Sequence, residues 1–159
     1  MSPAQFRDLV DAHADGLYRF ALAILRDPVT SEDAVQDAFE RFWRKRDEVE
    51  PSKHKSYLFS TLHNRCIDLL RQRKPTMELT AEHASVDARP NWDIQEQLHH
   101  ALKRLDARQQ SMILLRDYEG YSYVEIAEIT GSSLDQVKVN LHRARRAMQQ
   151  FIGSIENVL

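Results

Sequence analysis

The stretch Tyr118-Glu-Gly-Tyr-Ser-Tyr-Val-Glu-Ile-Ala-Glu-Ile-Thr-Gly-Ser-Ser-Leu-Asp-Gln-Val-Lys-Val-Asn-Leu-His-Arg-Ala-Arg145 holds one helix stop between two helix starts. Ser122-Tyr-Val-Glu125 is a capping box: the serine hydroxyl accepts the N–H three residues on, and the glutamate returns to the serine N–H. The short helix it opens carries Val124, Ile126, Ala127 and Ile129. Gly131 stops it, as a residue free to adopt positive φ. Ser133-Leu-Asp-Gln136 is a second box, opening a long helix to about Ile152. At about 100° per residue, Leu134, Val137, Leu141, Ala144 and Met148 share one arc and are expected to pack inward. Gln136, Val139, Arg143 and Arg146 lie opposite, flanked by Lys138, Asn140 and His142.

A short helix, a glycine turn and a longer helix with a basic outer face are the grammar of a helix-turn-helix. Such a face fits the major groove. Arginine reads guanine there, asparagine or glutamine reads adenine, and an apolar side chain touches a thymine methyl. Arg145 and Arg146 sit further along, where phosphates are expected. The same spacing also suits an ordinary three-helix bundle.

Working outward, Asp106-Ala-Arg-Gln109 reads as a third capping box, followed by Met112 to Leu115 and a stop at Glu119-Gly120. Leu98, Ala101, Leu102 and Leu105 form the face of the helix before it. In the first half, Phe6, Leu9, Val10, Leu17, Phe20, Ala21 and Ile24 repeat with helical spacing until Asp27-Pro28. A second helix is expected to start with Thr30 or Ser31 as N-cap, burying Val35, Ala38, Phe39, Phe42 and Trp43. A third runs from about Lys55 to Arg73, with Leu58, Leu62, Cys66, Leu69 and Leu70 on one side. From Thr76 to Asn91 the periodicity is lost, which reads as a flexible linker over 76–92. The expectation is an all-α protein of two small helical domains, 1–75 and 93–159, each with a marginal core of its own.

Four glycines and five prolines in 159 residues, with few β-branched runs, argue against a β-sandwich. No apolar run approaches the ~20 residues of a membrane span, and the first ten residues lack an apolar signal core. A single cysteine, Cys66, rules out an intrachain disulfide. The histidines, His99 and His100 included, show no paired ligand spacing, so neither a metal nor a cofactor is expected. The cytoplasm is the expected compartment. The net charge of −2 hides an uneven distribution. Ser52 to Lys74 holds six basic residues against Asp68, and Val137 to Gln150 holds four and no acid. Two basic patches on a near-neutral chain point to two contacts with a polyanion, or to two solvated helix faces.

The quoted stretch, with Val137-Lys138 and Leu141-His-Arg-Ala-Arg145, resembles the C-terminal domain of bacterial sigma factors. Ser31-Glu-Asp-Ala-Val-Gln-Asp-Ala-Phe39, Tyr57-Leu-Phe59 and Asn64-Arg-Cys-Ile-Asp-Leu-Leu-Arg71 are similar to their other obligatory domain. Two motif sets in this order, with a short linker, match the small extracytoplasmic-function (ECF) group of the sigma-70 family. The resemblance implies an alternative sigma factor, not itself an enzyme, that binds core RNA polymerase and promoter DNA, is commonly restrained by an anti-sigma factor, and is monomeric when free. By that resemblance Asp33, Gln36, Asp37, Phe39 and Glu40 would dock on polymerase. Lys53, Lys55, Tyr57, Asn64, Arg65, Arg71 and Arg73 would meet the minus-ten element, with Tyr57 and Asn64 near a flipped-out base. Tyr57 would serve equally as a core residue. Arg116, Ser122, Gln136, Lys138, Val139, Asn140, His142, Arg143 and Arg146 would meet the minus-thirty-five element.

The chain departs from many relatives after Val137-Lys138, where Val139-Asn140 replaces Ser-Arg. That removes one fixed cation, so the preferred promoter sequence does not transfer from them. Two other classes fit less of the chain. An operator-binding regulator leaves the acidic helix unexplained. A helical hydrolase lacks a nucleophile motif or a glycine-rich phosphate loop.

Overall fold

The computed structural model describes residues 1–73 and 93–158; the linker expected over 76–92 lies outside them. The described residues form helices and turns, with no strand among them. The first helix, α1, spans Pro3–Leu25 and opens with a capping box between Ser2 and Gln5. Arg26 closes it in the left-handed region, at φ 60°. The second, α2, spans Pro28–Lys45. Its N-cap is Asp27, not Thr30 or Ser31: the Asp27 carboxylate accepts the Thr30 N–H at 2.9 Å, and Pro28 takes the first helical position. Proline there gives up no hydrogen bond, so the pair that stops α1 also starts α2. A 3-10 turn, Pro51–Lys53, leads into α3, His54–Gln72.

The second group comprises α4 (Ile94–Lys103), α5 (Ala107–Ile113), α6 (Tyr123–Thr130) and α7 (Leu134–Val158). Asp106 caps α5 through the Gln109 N–H at 2.8 Å. The stretch expected to continue α5 winds instead into a π-helical turn, Leu114–Tyr118. The wider turn keeps Leu114 and Leu115 buried and turns Arg116, Asp117 and Tyr118 outward.

Each group has a buried centre. In the first, Leu17, Phe20, Ala38, Phe42, Leu58 and Leu62 are almost fully covered. In the second, Met112, Leu115, Ile126, Val137, Leu141 and Ala144 are. These centres join into one contiguous apolar cluster. α3 packs on α6, and α1 packs on α5. Phe59 meets Tyr121 edge to face, with ring centroids 5.9 Å apart. The Arg26 guanidinium donates to the Lys103 carbonyl at 2.7 Å. Two cores that are marginal separately thus bury more apolar surface together, at about 25 cal/mol per Å² removed from water.

Candidate nucleic-acid interface

Both boxes of the helix-turn-helix are formed. The Ser122 hydroxyl accepts the Glu125 N–H at 3.1 Å, and Glu125 accepts the Ser122 N–H at 2.9 Å. The Ser122 hydrogen bonds hold the Glu125 carboxyl below the usual carboxylate range. Ser133 and Gln136 bond in the same reciprocal way, at 3.1 and 2.8 Å. Between them Gly131 takes φ 68°, and the Ser132 N–H reaches the Ala127 carbonyl at 3.0 Å. A left-handed residue costs an L side chain roughly 1–2 kcal/mol, which glycine avoids.

Val137, Leu141 and Ala144 point into the core, as their arc requires. Leu134 does not: at the first position of α7 it stays 39% exposed. Gln136, Lys138, Val139, His142, Arg143 and Arg146 are all exposed, and Asn140 is half-buried. Val139 is an exposed apolar residue among polar neighbours. Asn140 donates its side-chain amide to the Gln136 carbonyl at 2.8 Å. An open cleft of about 570 Å³ lies beside this face. Gln136, Val139, Asn140 and Arg143 line one side; Asp106 and Arg108, at the start of α5, line the other. Arg108 was not anticipated, since nothing in its local sequence separates it from a solvated helix cation.

Two arginines do structural duty. Arg145, expected at a phosphate, turns back to Asp117 at 2.9 Å and reaches the Tyr123 hydroxyl at 3.5 Å. The hydrogen bond with Tyr123 raises its already high pKa. It ties α7 to the π-helical turn and to α6. Arg116 donates to the Tyr121 carbonyl at 2.9 Å and stacks over the Tyr123 ring at 5.1 Å, so its guanidinium is held at the helix-turn-helix start. Ser122 is exposed but committed to capping.

The first group presents two further faces. On α2, Asp33, Gln36 and Glu40 are exposed, with Glu40 paired to Arg44. Asp37 is half-buried between Arg41 at 3.2 Å and Arg65 of α3 at 3.6 Å. That ion pair joins a residue expected at polymerase to one expected at DNA. Phe39, expected both on the buried face of α2 and at polymerase, is buried at 8% and packs edge to face on Phe6 at 6.2 Å. On α3, Asn64 is exposed, as are Lys53 in the preceding turn and Arg71 near its end. Tyr57 is half-buried, its ring 6.0 Å from Phe42. Arg73 donates to the Leu25 carbonyl at 2.8 Å, tying the end of α3 to the end of α1. Among the described residues no group of histidine, cysteine and carboxylate side chains could hold a metal ion, and no helix is long and apolar enough to cross a membrane.

Residues 9–76 match Sigma-70 region 2, and residues 95–148 match Sigma-70 region 4. The RNA polymerase sigma-E factor of Streptomyces coelicolor is 30% identical, over 92% of this chain and 85% of that protein. This chain belongs to the sigma-70 family, in its ECF group. The sigma factor SigV of Bacillus subtilis is also 30% identical, over 86% of this chain and 84% of its own. The ECF sigma factor SigE of Mycolicibacterium smegmatis is 29% identical over 92% of this chain, which spans 61% of that longer relative. Among solved structures, the sigma factor RpoE of Bartonella quintana, in complex with the anti-sigma factor NepR, superposes with a TM-score of 0.74. It is 26% identical and covers 94% of this chain and 97% of its own. CnrH, in complex with the cytosolic domain of CnrY, superposes at 0.71 with 25% identity, over 96% of this chain and 90% of its own.

Proposed function

We propose that this ECF sigma factor binds core RNA polymerase, directs it to a set of promoters and assists melting at the minus-ten element. Region 2 and region 4 matches in the family's order support the role. The observation that carries its DNA-reading half is the outer arc of α7. Gln136, Val139 and Arg143 are exposed beside a cleft, directly opposite the buried Val137, Leu141 and Ala144. That arc would enter the major groove at the minus-thirty-five element. Arg143 and Gln136 would read base edges, Val139 would touch a thymine methyl, and Lys138, His142 and Arg146 would hold phosphates.

The domains would divide the work, with 1–75 serving polymerase and the minus-ten element and 93–159 the minus-thirty-five element. The exposed Asp33, Gln36 and Glu40, with the half-buried Asp37, would dock on a basic surface of polymerase. Lys53, Lys55, Arg65 and Arg71 would follow the backbone of the opened strand. Asn64 would bond the edge of an unstacked base, and Tyr57 would back it as an aromatic platform. No bond is made or broken by these groups; the chemistry belongs to the polymerase. An anti-sigma partner is expected, because RpoE is described in complex with one. The cytoplasm, where its polymerase works, is the proposed compartment.

Run-off transcription with core polymerase over genomic promoter fragments tests the reading. Specific transcripts should need both core and this chain. Transcripts unaffected by adding it, or tight operator binding without core, would overturn the assignment.

A further inference from the structure

The C-terminal group reaches into the N-terminal group with a carboxylate. Glu119, between the π-helical turn and α6, has a side chain only 10% exposed. Its Oε2 lies 3.3 Å from Arg19 of α1, and its Oε1 lies 3.5 Å from Lys55 of α3. His13 on α1 completes the surroundings. Burial lowers its pKa, Lys55 lowers it further, and Glu119 opposes both. The carboxylate also faces Gly16, in the middle of α1, where a Cβ would stand 3.5 Å from Glu119 Oε2. That is ordinary van der Waals distance, so α1 and the carboxylate are in close contact at this point. Lys55 also lies 5.3 Å over the Tyr121 ring, and Lys53 meets Glu128 of α6 at 4.0 Å.

These lysines are the ones assigned above to the minus-ten strand, and the present inference rests on that assignment. A lysine cannot neutralise a carboxylate and a phosphate in the same place. Geometry adds a second conflict. The two promoter elements are named for positions about 25 base pairs apart, on the order of 85 Å of duplex at ~3.4 Å per base pair. In this structure α3 and α6 touch. Simultaneous binding of both elements therefore requires α6 to leave α3 and Glu119 to leave its cleft.

We propose that Glu119 is an internal mimic of a DNA phosphate. Its carboxylate occupies the cationic cleft between α1 and α3 and latches the free chain in a closed state that cannot engage the two elements together. Glu128 on Lys53 is a weaker, exposed second contact. Opening exchanges these acids for strand phosphates at the same cations, so the latch is released by the ligand that it excludes.

The test uses the full chain labelled at Glu48→Cys and Gln149→Cys, both exposed, with the buried Cys66 left in place. Distances between the labels are measured for the parent, for Glu119→Gln and for Glu119→Lys, with helical content by circular dichroism as the folding control. Glu119→Gln should raise the open fraction by about three- to ten-fold, and Glu119→Lys by more. Adding Lys55→Glu to Glu119→Lys should close the chain again. Affinity of the free chain for a single strand of about 12 nucleotides should rise with the open fraction. Unchanged distances in both Glu119 variants would overturn the latch. Opening without a gain in strand affinity would overturn the mimicry. Failure of the underlying minus-ten assignment looks different: Lys55→Ala, added to Glu119→Gln, would then leave strand affinity where it was.

Discussion

Acid should destabilise this protein through one histidine before it protonates the carboxylates. His63, on α3, is 5% exposed, its ring lies 6.3 Å from Phe20, and its Nδ1 has no hydrogen-bond partner. Burial, with the Arg108 cation adding to it, pushes its pKa down to about 4 from 6.5. The unfolded chain binds a proton at that site near pH 6.5, and the folded chain does not until about pH 4. Stability is therefore fully present above pH 6.5 and falls as pH drops toward 4. At about 1.4 kcal/mol per pH unit, the whole interval corresponds to about 3 kcal/mol, and the part above about pH 5 to about 2 kcal/mol. Urea unfolding of the parent and of His63→Leu, followed from about pH 7.5 to about pH 5, isolates the effect. His13 and His99 also have lowered pKa values and slope the same way in both proteins, so the quantity to read is the difference in slope. The parent should lose about 2 kcal/mol more than the variant across that range. Equal slopes, or an imidazole resonance of His63 titrating near its ordinary value, would refute the reasoning.

Arg145 and Arg146 should separate by salt dependence. Arg146→Ala should flatten the slope of log affinity against log salt by about 0.9, whereas Arg145→Ala should weaken binding and loosen the domain with the slope kept, as loss of a contact to Asp117 requires. An equal change of slope in both would return Arg145 to the DNA. Asn140→Ala should relax one position of a randomised minus-thirty-five library bound by the holoenzyme if its side chain reads a base, a discrimination of about 1–3 kcal/mol; uniform weakening would make it a phosphate contact. Cys66, buried and with its thiol pushed up to about 12 by desolvation, should resist alkylation at neutral pH until the chain is unfolded. Rapid modification of the folded protein would contradict its place in the core.

Much of the helical grammar was readable from the residues because it is local. Ser122 with Glu125, and Ser133 with Gln136, bond across three positions, so no distant residue can alter the pattern. The inward Val137, Leu141 and Ala144 and the outward Gln136 and Arg143 follow from the helical repeat alone. Residues with two competing local readings were less determined. Asp27 could end one helix or cap the next, and its carboxylate on the Thr30 N–H decides for the cap; Phe39, expected on the apolar face of its helix and also at polymerase, packs on Phe6 of another helix.

What only the tertiary structure decided is the set of partners far apart in sequence. Arg145 finds Asp117, Arg73 finds the Leu25 carbonyl, and Asp37 finds Arg65, each through packing that periodicity does not encode. The sequence divides the chain at an aperiodic stretch, and by composition alone the two sides are separate domains. Their joint core, the buried His63 and the carboxylate of Glu119 against Arg19 and Lys55 exist only once α3 lies on α6. A charge run in sequence reports how many cations a face carries. Which acid neutralises them depends on distances that the fold sets, because electrostatic attraction weakens with separation and with the water between the charges.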